Sequence, residues 1–235
     1  MTTKEKRYNK LQIAQSMTSL WEPMTDEQRR YLIDNIVIKS YQKGESIYNE
    51  DENPRYIFYL IEGKVKVYKL GLAGRQQIVR MIKPKEMFGF RAAFVGEHYI
   101  TGAAAIDNSV LCQIPVDVIK KIIIENSLVG VFFIRQLAWM LASADSLTVT
   151  LTQKHIRARM AEALLFIKDK YGIEDDGKTL RFISSREDIA NITCMTTSNA
   201  IRTLSALAQD GVISLTGRQI CIEDEDQLRK ISMMG

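Results

Sequence analysis

Residues 184–222 read SSREDIANITCMTTSNAIRTLSALAQDGVISLTGRQICI. Ser185 and Asp188 stand three apart, a capping-box spacing, so a helix begins just after Ser185. Ile189 and Ala190 face inward from it. The pattern stops at Thr193, Cys194 and Met195. Thr196 then caps a second helix that runs to about Gln209. That helix sets Ala200, Ile201, Leu204 and Leu207 on its apolar side. Thr197, Ser198, Asn199, Arg202, Thr203 and Ser205 occupy the other. Asp210 and Gly211 turn the chain into a strand over Val212–Leu215. Thr216, Gly217 and Arg218 turn it back into Gln219–Ile222.

Two short helices joined by a tight turn form a helix-turn-helix, and the glycine-turned hairpin behind them adds a wing. The second helix is small and polar at its N-terminal end. Such an end fits a groove ~12 Å wide, where its side chains meet base edges and phosphates. Arg218, at the tip of the wing, lies where a phosphate would be. A helix-turn-helix pattern alone also describes helix pairs with no DNA role; the wing behind it narrows the reading.

Upstream, Lys154–Tyr171 reads as a helix with Ile156, Met160, Ala163, Leu164 and Ile167 on one face and Gly172 as its stop. Before it, Ile134, Leu137, Leu141, Ala144, Thr148 and Leu151 are spaced 3, 4, 3, 4, 3, an a/d register over about two and a half heptads. A narrow stripe on a long helix is expected to seat a second copy of the chain. Asp145 and Arg135 lie beside it. Residues Tyr41 to Pro115 have another texture. Short runs rich in β-formers, Ser46–Tyr48, Tyr56–Ile61, Lys64–Leu70, Gln76–Ile82, Ala103–Ala105 and Val110–Ile114, alternate with turn residues. Regular short strands predict a rolled antiparallel sheet, whose interior is filled by side chains or holds one small ligand. A helix is expected within residues 16–39, with Thr25 and Gln28 in capping-box spacing. A short strand is expected over Leu180–Ile183. The fold class is α+β: a β-roll over residues 1–125, a dimerisation helix over 126–154 and a winged helix-turn-helix over 155–235.

Composition sets the bounds. The chain has 235 residues, 46% hydrophobic and 26% charged, ordinary for a globular protein. No uninterrupted apolar run reaches the ~18–20 residues of a membrane helix, and MTTKEKRYNK leads into no pure apolar segment. A membrane partner and a leader are therefore not expected. Three scattered cysteines, Cys112, Cys194 and Cys221, suggest a reducing compartment, the cytoplasm, and no disulfide framework. The net charge of +4 divides into about +5 on residues 1–155 and about −1 on residues 156–235. DNA contacts must then come from placed side chains, not bulk charge. There is no HExxH, P-loop or GxSxG and no paired Cys/His spacing, so neither a catalytic residue set nor a metal site is expected.

The stretch SREDIANITCMTTSNAIRTLSALAQDGVI closely resembles the DNA-binding signature of the CRP/FNR family of bacterial transcription regulators. KGESIYNEDENPRYIFYLIEGKVKVYK resembles the first half of that family's cyclic-nucleotide-binding-like β-roll. The order of β-roll, dimer helix and winged helix-turn-helix matches along nearly the whole chain. The resemblance implies a homodimer on a two-fold related site in double-stranded DNA, with RNA polymerase as a further partner. It implies base contact by Arg202, with Thr197, Ser198 and Asn199 at the other reading positions, and contributions from Ser185, Arg186, Thr196 and Arg218. The family's frequent glutamate falls on Ser198 and its turn glycine on Cys194, so a different target sequence is expected.

Cyclic-AMP-binding relatives carry Gly-Glu followed by Arg-Ser or Arg-Thr. The matching stretch here is MFGFRAAFVGEHYITGAAAI. Gly89 is kept, Phe90 replaces the glutamate, and Tyr99 or Ile100 falls where the arginine belongs. Arg91 is one residue off, with strand neighbours that suggest the opposite face. Gly89, Phe90, Arg91, Tyr99, Ile100 and Thr101 are the effector-pocket candidates. Cyclic AMP lacks its bidentate partner in such a site. No cysteine precedes Cys112, which excludes the family's N-terminal iron–sulfur centre. His98 and His155 read as surface histidines, although a cyclic-nucleotide- or haem-responsive regulator of the same fold is the alternative reading. The effector itself is not identified, and no cofactor is assigned.

Overall fold

The computed structural model describes residues 8–71, 74–182 and 185–234. Ile183, at the end of one expected strand, and Ser184 lie outside the described residues. Two compact units divide the chain: Met1–Arg75 with Val79–Ala142, and Ser143–Gly235 with Gln76–Ile78. The division falls within the long helix, between the boundaries expected after residues 125 and 154.

The first unit opens with helices α1 (Lys10–Ser16), α2 (Thr18–Trp21) and α3 (Asp26–Asn35). Thr25 caps α3 with the reciprocal hydrogen bonds of a capping box through Gln28. The helix expected within residues 16–39 is thus three pieces, and its tail is a strand. Ile36 is already extended. Strand β1 (Val37–Tyr41) alternates exposed Val37 and Lys39 with half-buried Ile38 and Ser40 and ends on buried Tyr41. The roll continues with β2 (Ser46–Tyr48), β3 (Tyr56–Glu62), β4 (Val65–Leu70), β5 (Gln76–Ile82), β6 (Met87–Phe88), β7 (Gly102–Ala105) and β8 (Ser109–Pro115). Two four-stranded sheets run β1-β8-β3-β6 and β2-β7-β4-β5. The pairs β1–β8, β3–β8, β3–β6, β2–β7 and β4–β7 are antiparallel.

Strand β3 shows why the sheets face each other. Its run Ile57, Phe58, Tyr59, Leu60 is buried throughout, because both of its faces are covered. Phe58 and Leu60 join the roll interior with Tyr48, Val67, Phe88 and Tyr99. Ile57 and Tyr59 join a second core with Leu20, Leu32, Ile119, Ile122, Val129 and Phe133, contributed by the helices. Those helices are α1 to α3, α5 (Val116–Glu125) and the start of α6 (Ser127–Gln153). The roll interior is largely aromatic, with the Tyr48 and Tyr99 rings stacked 3.9 Å apart and Phe58 and Phe88 5.2 Å apart. Between β6 and β7, residues Phe90–Val95 form a short helix, α4, not a strand. This corrects the face expected for Arg91, which follows helical geometry and points to the mouth of the roll.

In the second unit, α7 (Ile156–Tyr171) stops at Gly172, whose φ of +81° suits glycine. Met160, Ala163, Leu164 and Ile167 are buried on it, whereas Ile156, expected on that face, is exposed. Helices α8 (Arg186–Thr193) and α9 (Thr197–Gln209) follow, then the hairpin β9 (Ile213–Thr216) and β10 (Gln219–Ile222). The expected strand Leu180–Ile183 is instead a pair of bridges, Ile173 with Leu180 and Thr179 with Cys221. Backbone hydrogen bonds at Lys178 and Leu180 extend β10 by a partial third strand. A helix not expected from the sequence, α10 (Glu225–Ser232), packs on α7 with Leu228 and Ile231 buried.

Candidate functional site

The two helices of the second unit form as their caps dictate. Ser185 Oγ accepts from the Asp188 amide at 3.0 Å and donates to the Asp188 carboxylate at 2.8 Å. Thr196 Oγ1 accepts from the Asn199 amide at 3.2 Å. Between them Cys194 ends α8 in the left-handed conformation at φ 54°, which makes the turn tight. The buried face of α9 is Ala200, Thr203, Leu204 and Leu207, an i, i+3, i+4, i+7 set. This corrects two assignments: Thr203 is buried, and Ile201 is 46% exposed. Ile201 lies one residue, about 100° of helix, from the buried stripe. Beside it stands Arg202, also exposed.

Thr196, Thr197 and Ser198 are exposed at the first turn of α9. Their hydroxyls and the free backbone donors of that turn offer hydrogen bonds to an anion or a base edge. Arg202 reaches back one turn, where its Nη2 donates to Asn199 Oδ1 at 2.6 Å. Asn199 thereby holds the guanidinium in one orientation. Arg186 behaves differently. Its Nη2 donates to the Gly217 carbonyl at 2.8 Å, and burial lowers its pKa. It braces the wing. Arg218, next to Gly217, is exposed. Gly217, at φ +59°, is the first central residue of a two-residue turn closed by the Thr216–Gln219 pair, the position where such turns want glycine.

Helix α6 exposes most of the stripe read from the sequence. Ile134 and Leu141 are 64% and 66% exposed, and Ala144, Thr148 and Leu151 are also in solvent. Thr148 Oγ1 donates to the Ala144 carbonyl within the helix, so its hydroxyl is satisfied. Leu137 is shared, for it packs partly on the helical core of its own unit. Trp139, Leu128 and Val149 widen the apolar surface beyond the expected stripe. Among the described residues, α6 is long and apolar enough to cross a membrane by length and composition. The sequence showed no unbroken run because Arg135 and Asp145 interrupt it.

All six effector-pocket candidates line one pocket at the mouth of the roll, with Tyr48, Val67, Val79, Arg80, Phe88, Ala92 and Met140. The stacked Tyr48 and Tyr99 rings are part of its lining. The Tyr48 phenol is pushed up to about 12 by burial, opposed by a hydrogen bond with Thr101 and by the charges of Arg80 and Arg91. The Tyr99 hydroxyl donates to the Tyr56 carbonyl at 3.0 Å, and burial raises its pKa as well. Gly89 sits at φ +83°, and a Cβ there would lie 2.8 Å from the Phe58 ring. Phe90 is 1% exposed and packs on Phe133 of α6. Where a ribose-binding carboxylate would be needed, this chain has a core residue. His98 and His155 are exposed, His155 as the residue preceding α7. Arg80 and Met140 escaped the sequence reading. Arg80 lies in β5 among residues that read only as strand, and Met140 lies about 40 residues beyond the motif, on α6.

Residues 38–126 match the cyclic nucleotide-binding domain family, and residues 158–231 match the Crp-like helix-turn-helix domain family. Among curated proteins, the regulatory protein HlyX of Actinobacillus pleuropneumoniae is 24% identical over 91% of this chain and 90% of its own. Among solved structures, FixK2 of Bradyrhizobium japonicum is 26% identical with a TM-score of 0.76, covering 85% of this chain and 98% of that one. A CRP-family transcriptional regulator of Thermus thermophilus, TTHB099, is 25% identical with a TM-score of 0.70, covering 83% and 96%.

Proposed function

The chain belongs to the CRP/FNR family of DNA-binding transcription regulators, and from that premise we propose that it acts as a homodimer on a two-fold related operator, with its DNA affinity set by the β-roll. One observation carries the reading. An exposed polar helix end, Thr196 to Ser198 with Arg202 held by Asn199, occurs in the same chain as a long helix whose apolar stripe is uncovered. An isolated reading helix binds weakly. Two of them, fixed about one DNA turn or ~34 Å apart, read two half-sites together. The α6 stripe is the surface that supports such pairing, since contiguous exposed apolar surface on this scale marks an interaction site.

In this account Arg202 reads a base, Thr197, Ser198 and Asn199 flank it, and Thr196 and Arg218 meet the phosphates, while Ser185, its hydroxyl and amide both committed to Asp188, holds the start of α8 in place. Arg186 supports the wing. A soluble cytoplasmic protein that works beside RNA polymerase is the setting that fits a promoter-bound regulator. The pocket lacks an acidic residue among its described lining, and Phe90 fills the ribose side, which argues against cyclic AMP as the effector. Selection from a random-sequence duplex pool at physiological salt tests the reading. We expect enrichment of a two-fold symmetric motif. Binding with no sequence enriched over bulk DNA contradicts it.

A further inference from the structure

Opposite the buried stripe of α9, at i, i+1, i+4, i+5 and i+8, stand Thr197, Ser198, Ile201, Arg202 and Ser205, all exposed. At 3.6 residues per turn they share an arc of about 140°, with Ile201 inside it between Thr197 and Ser205. The other four side chains end in a hydroxyl or a guanidinium, and Ile201 is the apolar member of the face. One apolar side chain in solvent is ordinary on a protein surface; the place of this one sets it apart. It stands beside Arg202, on the face that carries the reading residues. Its own unit leaves it 46% exposed. Helix propensity does not select it either, since isoleucine is a poorer helix former than alanine, leucine or lysine. Packing and propensity both leave the isoleucine unexplained, so its contact is sought outside the chain.

We propose that Ile201 is a specificity-determining residue that reads a thymine through its 5-methyl group in the major groove, an inference that rests on the DNA-binding reading above and deepens it. Base edges in that groove offer hydrogen-bond donors and acceptors, and thymine adds a methyl that an apolar side chain recognises by contact. The surroundings of Ile201 suit this. Thr197, Ser198 and Ser205, three or four positions away, are shorter and leave it standing above the helix surface. Arg202 is longer, but its Nη2 is tied to Asn199 Oδ1 at 2.6 Å. Residue 199 lies on the far side of Arg202 around the helix, so the guanidinium leans away from Ile201. A β-branched side chain in a helix keeps mainly one χ1 rotamer, so the contact costs little side-chain freedom. Consecutive residues are ~3.8 Å apart and consecutive base pairs ~3.4 Å. The thymine therefore lies within two base pairs of the one that Arg202 reads.

The test uses the full-length protein and the operator selected from random duplexes. Each thymine is replaced in turn by deoxyuridine, which keeps the O4 acceptor and the base pairing and lacks only the methyl. Arg202→Ala locates the base pair that Arg202 reads. In the wild type, deoxyuridine at one thymine within two base pairs of that position weakens binding about fourfold in one half-site and roughly fifteenfold in both, the value of one buried methyl-sized group. In Ile201→Ala, thymine and deoxyuridine bind equally at that place, while penalties elsewhere in the operator are unchanged. Ile201→Val, shorter by one methyl, keeps part of the discrimination. Circular dichroism checks the fold of each variant, and the wild-type scan decides by itself if a variant does not fold. A wild type indifferent to every deoxyuridine in that window, a window without a thymine, or a penalty that a folded Ile201→Ala retains overturns the role of Ile201 and leaves the operator reading standing. Failure to select any operator overturns both.

Discussion

Leu141 lies on the exposed stripe of α6 with 66% of its surface in solvent. If that stripe seats a second copy, Leu141→Ala removes three carbons from the contact. At about 0.8 kcal/mol per buried methylene, scaled by the two-thirds left uncovered in one chain, the loss is about 1.6 kcal/mol per copy. A two-fold contact contains the residue twice, which gives about 3 kcal/mol, and at about 1.4 kcal/mol per tenfold the dimer Kd rises on the order of 200-fold. Folding of each chain is spared, because alanine is a better helix former and the side chain leaves no cavity in its own unit. A dilution series by sedimentation velocity, with far-ultraviolet circular dichroism as the folding control, measures this. A wild type that stays monomeric at micromolar concentration refutes the reasoning, as does an unchanged Kd in a folded Leu141→Ala.

Three further outcomes are expected. Arg202→Ala weakens operator binding by ~1–3 kcal/mol per half-site and relaxes preference at one base pair, measured by competition with single-base-substituted duplexes; equal weakening on every sequence makes Arg202 a phosphate contact instead. Cys194→Gly relieves a non-glycine residue held at φ 54° and stabilises the chain by about 1 kcal/mol in thermal unfolding; a lower Tm means that the half-buried thiol contributes more than the backbone strain costs. Asp176 accepts hydrogen bonds from the Thr179 hydroxyl and from the Thr179 and Lys178 amides, which hold its carboxyl down to about 2 from 3.8. A folded-state pKa below the unfolded value contributes stability above the unfolded pKa and loses it as pH falls through the folded one. Asp176→Asn therefore lowers the Tm at neutral pH, and its deficit closes as pH falls from 3.8 to about 2; a deficit independent of pH contradicts the assignment.

What the sequence made legible was local chemistry. Thr25 with Gln28, Ser185 with Asp188, and Thr196 fixed three helix starts, because a cap is satisfied by residues two or three positions away. Gly172 and Gly217 fixed a stop and a turn for the same reason. Burial by distant partners was less visible. Residues 37–39 read as the end of a helix until β8 is beside them. FRAAFV resembles a strand until Phe90 packs on Phe133 of α6. Ile201 and Thr203 exchanged places because polarity alone assigned their faces, whereas the helix period puts residue 203 with 200, 204 and 207. Of the pocket, the candidates between Gly89 and Thr101 are close in sequence. Arg80 and Met140 meet them only through the rolling of the sheet and the packing of α6, contacts that no short motif encodes.

Hydroxyl-radical footprinting of the purified protein on its selected operator tests the central claim most directly. Two symmetric protected patches are expected on one face of the duplex, centred ~34 Å apart, and they fade together in Leu141→Ala at a concentration where the wild type still protects. A single unpaired patch, or protection that Leu141→Ala leaves intact on both half-sites, would contradict it.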